Sequence, residues 1–369
     1  MGERSKDDRL EKLRAEGHEI YSISRIDSIH RCLYEAYRTY KLGERGEENI
    51  YTILGSSIHD TLESIVNGEA TEKDLLPAMN KDLENLGLFG LEFPKDSKGE
   101  DSIRNGWIAD MTHFCNHYRS PKKNGLKTEE LVIYQTPKGY YLQGYIDLQW
   151  EHGGVVDIYD YKTSSLYSKT DMKEHGRQLV LYMLSKEQEG AIVNSVNWIF
   201  TKYVEVIYQG YKTVKSKEKT EIHKNIERRK IGKEMTDAVT RDLKEAGFDD
   251  FDIDLITDKL CESNTFDCLP DQIRRNYVIR PCVIKYELTD EIKQECIEYI
   301  ENTIEMWESK DDKELSKEHK PLTRIQKNGK IVPDIFYDTC LCPHRKNCPY
   351  LSDFLETMQN DEEDEDTIF

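Results

Sequence analysis

Positive charge is in short supply: 52 Lys and Arg face 71 Asp and Glu, a formal net charge of -19 over 369 residues. Such a field repels polyanions at long range, so composition alone speaks against a nucleic-acid partner. Long apolar runs are lacking too. No stretch approaches the roughly 18–20 residues that span a bilayer, and residues 1–17 are charged, without the apolar centre of a secretion signal. The expectation is an intracellular, cytoplasmic protein with no membrane partner. A Gly-x-x-x-x-Gly-Lys-Ser/Thr phosphate loop is missing, so any ATP-driven motor must be another chain. No internal repeat is visible, which excludes a solenoid. The nine cysteines are an odd count in a long chain, which fits reduced thiols or metal ligands better than a disulfide framework.

What is present is enough for a folded core: 22 Tyr, 10 Phe and 4 Trp are too many aromatics for a disordered acidic chain. The charge is uneven. Residues 351–369 hold eight acids and no base, a solvated tail by composition, whereas residues 211–230 carry eight bases against three acids. Four segments are expected: a charged extension at 1–21, an α/β core at 22–212, a helical region at 213–350 ending in a cysteine cluster, and the acidic tail at 351–369.

Periodicity predicts helices from Ser24 to about Gly43, with Ile26, Ile29, Leu33, Tyr37 and Tyr40 on one face, and at Ser56–Val66 and Ser102–His117. Strands are predicted at Leu131–Tyr134, Tyr140–Trp150 and Val155–Lys162, joined by turns at Pro137–Gly139 and His152–Gly154. A helix at Asp171–Glu187 precedes two further strands, Val193–Phe200 and Tyr203–Tyr208. Beyond them the pattern predicts helices at Glu221–Ala246 and Thr289–Trp307.

Charge appears where strands should be apolar. In Val155-Val-Asp-Ile-Tyr-Asp160-Tyr-Lys162 the alternation of a strand puts Asp160 and Lys162 on one face and Asp157 on the other. Asp147, in Gly144-Tyr-Ile-Asp147, can bring a second carboxylate across the short turn. Two carboxylates suit a hard cation such as Mg²⁺ or Mn²⁺, and a lysine beside them can orient a water or offset developing negative charge. The same pair on an edge strand could also be an ordinary surface contact.

Gly55-Ser-Ser-Ile-His59-Asp-Thr-Leu-Glu63, Gly144-Tyr-Ile-Asp147, Asp160-Tyr-Lys162-Thr163 and Gln178-Leu-Val-Leu-Tyr182 occur in that order. In sequence and order they resemble the PD-(D/E)XK nuclease superfamily, in particular its RecB-like branch with AddB subunits and CRISPR-associated RecB-like exonucleases. The resemblance spans about Ser22–Tyr208. It implies a restriction-endonuclease-like α/β fold, with a mixed central sheet flanked by helices. It further implies that His59, Asp147, Asp160 and the Tyr161 carbonyl ligate Mg²⁺ or Mn²⁺, that Lys162 is catalytic, and that Gln178 and Tyr182 flank the site. The implied activity is metal-dependent DNA cleavage, most naturally exonucleolytic, in recombination, repair or viral DNA processing. A non-catalytic or accessory DNA-binding subunit of a helicase–nuclease complex is the alternative. The basic stretch Lys212–Lys233 is a candidate DNA-tracking surface or a solvated helix face.

Cys340-Leu-Cys342-Pro-His-Arg-Lys-Asn-Cys348 concentrates three soft ligands within nine residues, and Cys32 could supply a fourth by joining the two ends of the chain. This resembles the 4Fe-4S iron–sulfur staple of the same relatives. Those relatives have two residues between the first two late cysteines, where this chain has only Leu341. Zinc is the alternative, with Cys32, Cys340 and Cys348 joined by Cys342, His344 or His30.

Overall fold

The computed structural model describes residues 7–96, 98–211, 218–319, 323–325, 331–333 and 336–352. Lys212–Lys217 of the basic stretch and residues 353–369 of the acidic tail lie outside them.

The centre is a mixed sheet of seven strands: β1 (Ile20–Tyr21), β2 (Leu126–Gln135), β3 (Tyr141–His152), β4 (Val155–Lys162), β5 (Val193–Gly210), β6 (Thr220–Glu227) and β7 (Tyr277–Lys285). A tight turn at Gly153 and Gly154, both at positive φ, joins β3 to β4 in antiparallel register, with His152 opposite Val155. β4 then runs parallel to the first half of β5, after a crossover through the helix Arg177–Gln188. The second half of β5 pairs with β6 along one edge and with β7 along the other. One long strand therefore holds both halves of the sheet.

Helices cover both faces. On one side Leu142, Ile146, Val156 and Ile158 pack against Leu179–Tyr182, the helix Ile23–Arg31 and the helix Asp290–Glu308. On the other, Leu148 and Tyr161 pack against the helices Ile50–Val66, Leu75–Leu88 and Ser102–His117. A third cluster joins β5 and β6 to the helices Ile231–Glu245 and Asp250–Ser263. No helix among the described residues is long and apolar enough to cross a membrane.

Several expectations need correction. The first helix starts one cap earlier, at Ser22, and breaks at Cys32, whose extended backbone ends Ile23–Arg31 and caps Leu33–Ala36. The second begins at Ile50, where the Asn49 side chain accepts from the Tyr51 and Thr52 amides. The two strands expected at 193–208 are one. The helix expected at Glu221–Ala246 is a strand followed by a helix from Ile231. Together with β7, this carries the sheet past residue 212, so the region 213–350 is not purely helical.

Candidate active site

β3 and β4 are paired only from His152/Val155 up to Leu148/Tyr159. Beyond that pair the strands diverge, and the next residues, Asp147 and Asp160, sit where the ladder opens. Asp147 turns its carboxylate into the gap and accepts the backbone N–H of Tyr161 at 2.8 Å. A backbone donor that has lost its strand partner is thereby satisfied by a side chain. His59 approaches from the helix Ile50–Val66, with Nδ1 3.4 Å from Asp147 Oδ2. The apolar stripe Leu54, Ile58, Leu62 and Ile65 fixes that helix against the core and leaves His59 on the adjoining face.

Lys162 Nζ lies 2.6 Å from Asp160 Oδ2 and donates to Gln178 Oε1 at 3.1 Å. Gln178 in turn donates to the Tyr182 hydroxyl at 2.6 Å, and that hydroxyl donates to the Tyr145 carbonyl. The spacing of four places Gln178 and Tyr182 on one helix face. Gly144 makes room for them: a Cβ there would stand 2.8 Å from the Tyr182 ring. Asp157 is directed away from this centre, accepting from Asn194, Ser195 and His152.

Asp160 is only 1 % exposed. Burial, reinforced by the Asp147 charge, pushes its carboxyl up to about 6 despite the opposing Lys162 ammonium. Burial alone would lower the Lys162 ammonium, but Asp160 and Asp147 help to hold it above its ordinary value. Burial lowers His59, which favours the neutral imidazole that a metal ligand requires.

A cleft of about 420 Å³ opens onto Asp147, His59, Gln178 and Tyr182. It is also lined by Asp27, Asp60, Glu129 and Gln143, none of which the sequence motifs had singled out. Asp27 accepts from Arg177 and Tyr299. Glu129 has a left-handed backbone, φ 49°, at the one position where the β2–β3 ladder skips a pair, opposite Asp147. Asp60 could have been noticed beside His59, but no local pattern signals a left-handed glutamate.

These residues fit a divalent cation in chemistry: two carboxylates and an imidazole, with the buried Asp160 carboxylate partnered by the Lys162 ammonium. The donors are turned toward Lys162 and the Tyr161 amide, and among the described residues no group of three or more His, Cys, Asp or Glu forms a ready-made cage.

The cysteine segment is arranged differently from the expectation. Cys32, Cys342 and Cys348 line one small buried space with Glu35, His319 and His344, but Cys340 stands outside it, half-buried, with its Sγ 3.6 Å from Thr339 Oγ1. Cys32 Sγ is 3.2 Å from His319 Nδ1. Burial pushes the Cys32 thiol up to about 11 and Cys342 up to about 12, away from thiolate. Of the four thiols expected for a 4Fe-4S cluster, Cys32, Cys342 and Cys348 line this space and Cys340 does not. The ends of the chain are tied instead by hydrogen bonds: Glu35 accepts from Ser28 at 2.9 Å and from the Tyr337 hydroxyl at 3.0 Å.

A mixed central sheet flanked by helices, with a carboxylate–lysine centre in the opening between two of its strands, sets the class as an α/β protein. The model of the PD-(D/E)XK nuclease superfamily matches residues 20–268, more than half of the chain. The chain belongs to that superfamily, whose members are generally phosphodiester hydrolases that use Mg²⁺ or Mn²⁺. No curated protein matches it.

Proposed function

We propose that the protein is a divalent-metal-dependent deoxyribonuclease of the RecB-like branch that works from DNA ends. The observation that carries this reading is the convergence of Asp147, Asp160, His59 and Lys162 where β3 and β4 part. Asp147, Asp160 and His59, with the Tyr161 carbonyl, would hold Mg²⁺ or Mn²⁺, which when bound polarises the phosphoryl oxygen and acidifies a water.

The protein's own groups do the rest. Lys162 supplies a fixed positive charge beside the scissile phosphate and stabilises the charge that develops there. Gln178 holds the Lys162 amine in place and is itself held by Tyr182. Asp160, now paired with Lys162, would lend its carboxylate to the cation, and Lys162 would remain beside the phosphate to offset its charge.

End-labelled single- and double-stranded DNA, incubated with Mg²⁺, Mn²⁺ or EDTA, tests the proposal. The expected result is cation-dependent shortening from the ends that EDTA and Lys162→Ala both abolish. Purified protein that cuts neither substrate with either ion would instead assign it a non-catalytic role, such as an accessory subunit beside a helicase.

A further inference from the structure

A concavity of about 920 Å³ lies apart from the carboxylate cleft. It lies on the face of the sheet that carries the Tyr159 and Tyr161 side chains, across β4 from Asp160 and Lys162. The Tyr161 ring reaches into it, with its hydroxyl 3.4 Å from that of Tyr118. The groove runs between the end of the helix Ser102–His117 and the edge strand β7.

Its chemistry opposes that of the whole chain. Arg119, Lys123, Arg228, Arg274, Arg275 and Arg280 line it, against only Asp267 and Asp271, in a protein whose formal charge is -19. Five of the six bases are exposed and the sixth, Arg228, is not. Arg228 is 7 % exposed, and among the described residues it is in no ion pair. Its Nε donates to the Thr201 carbonyl at 2.6 Å and its Nη1 lies 3.5 Å from His113 Nδ1. The neighbouring carboxylate, Asp110, is taken by Arg229. Burial depresses the Arg228 guanidinium to about 10, which still leaves it charged at neutral pH. A buried cation with only neutral partners is costly unless an anion completes its surroundings.

The floor is apolar and aromatic, with Tyr118, Tyr159 and Tyr277 beside Leu148, and β7 leaves Ile279 37 % and Val283 42 % exposed. A duplex would meet the rim through its phosphates but leave this floor uncovered. A single strand offers both phosphates for the rim and unstacked bases for the floor. We propose that this groove is a second nucleic-acid site, separate from the cleavage centre, which holds a single-stranded segment with its phosphates along the arginine rim. The proposal rests on the nuclease reading for the identity of its ligand.

The test is fluorescence anisotropy of a labelled 20-residue oligothymidine with the full chain in EDTA, where cleavage plays no part. The triple variant Arg274→Ala/Arg275→Ala/Arg280→Ala, all on the exposed rim, is expected to bind about tenfold or more weakly, with a salt slope reduced by about 2 for three lost phosphate contacts. Arg228→Gln, checked for folding by circular dichroism, is expected to weaken binding as well. Unchanged affinity in the triple variant, or a duplex of equal length that competes as well as the single strand, overturns the assignment. Wild-type protein that cuts no DNA yet loses oligonucleotide binding in the triple variant would sink the nuclease proposal and leave the groove standing.

Discussion

Two regions of the chain advertise metal chemistry, and the structure treats them in opposite ways. In the strand opening, charged groups converge beside a cleft: the buried Asp160 carboxylate meets the Lys162 ammonium, and Asp147 accepts the Tyr161 amide with His59 close by. In the cysteine segment the polar groups are knitted to one another, with Glu35 satisfied by Ser28 and Tyr337, Cys32 beside His319, and Thr39 Oγ1 2.9 Å from His344 Nε2. The difference teaches how to separate a reactive centre from a tie. The centre gathers titratable groups of both signs beside an open cleft, whereas the tie spends most of its polar groups within the chain and keeps His319 Nε2 buried without a hydrogen bond.

The largest expected effect sharpens that contrast. Asp160→Asn or Lys162→Ala should lower DNA cleavage by the folded fraction about a thousandfold, and each should also lower the melting temperature, since it leaves the other charge of a buried pair uncompensated. Unchanged specific activity of the folded fraction would place Asp160 and Lys162 among the structural residues.

Glu35→Ala should lower stability alone. Leaving Ser28 and Tyr337 without their acceptor is expected to cost about 1–3 kcal/mol of stability, read by urea denaturation, with specific activity of the folded fraction unchanged. Cys32→Ala should cost about 1–2 kcal/mol, because it removes a buried cap between two helical segments. Cys340→Ala should change stability by less than about 0.5 kcal/mol. If all four cysteines prove equally sensitive, a four-thiolate site exists after all and the contrast fails.

A smaller effect concerns pH. Burial alone would raise the Asp157 carboxyl, but hydrogen bonds from Ser195, His152 and Asn194 hold it below its ordinary value near 3.8. A depressed acid stabilises the fold above its unfolded value, and that contribution disappears as pH falls through the lower folded value. Asp157→Asn should therefore be less stable than the wild type by about 1–2 kcal/mol at pH 7, and the gap should narrow only below about pH 4. A gap that closes between pH 5 and 7 would assign the titration to another group.

The strand opening was legible because its signal is a contradiction within a few residues. Asp160 and Lys162 interrupt an apolar strand, a two-glycine turn fixes the register, and His59, Gln178 and Tyr182 sit at helical spacings that bring them to the same end of the sheet. The cysteines gave a weaker signal, since spacing along the chain does not say which way a side chain turns, and Cys340 does not line the space that Cys32, Cys342 and Cys348 share. β6 was hidden by its role: Ile222, Lys224 and Ile226 alternate with Glu221, His223 and Asn225, and so many charges read as a solvated helix. β7 was hidden by Pro281, which interrupts a strand pattern but is tolerated because the strand lies at the sheet edge and the register shifts between Ile199 and Val204. Glu129 and Asp27 gave no local cue, because what matters about each is the element it faces.

The 18 residues of β5 also decide how the molecule can come apart. Since its first half backs β4 and its second half pairs with β6 and β7, the strand of Asp160 and Lys162 and the C-terminal half are joined through a single strand. Severing the chain after residue 212 would strip both borders of that second half and leave a long, bare strand rich in Val, Ile and Tyr, a template for association with its own kind. The two halves should accordingly lose protection against hydrogen exchange in one step, with the amides of β5 the last to exchange.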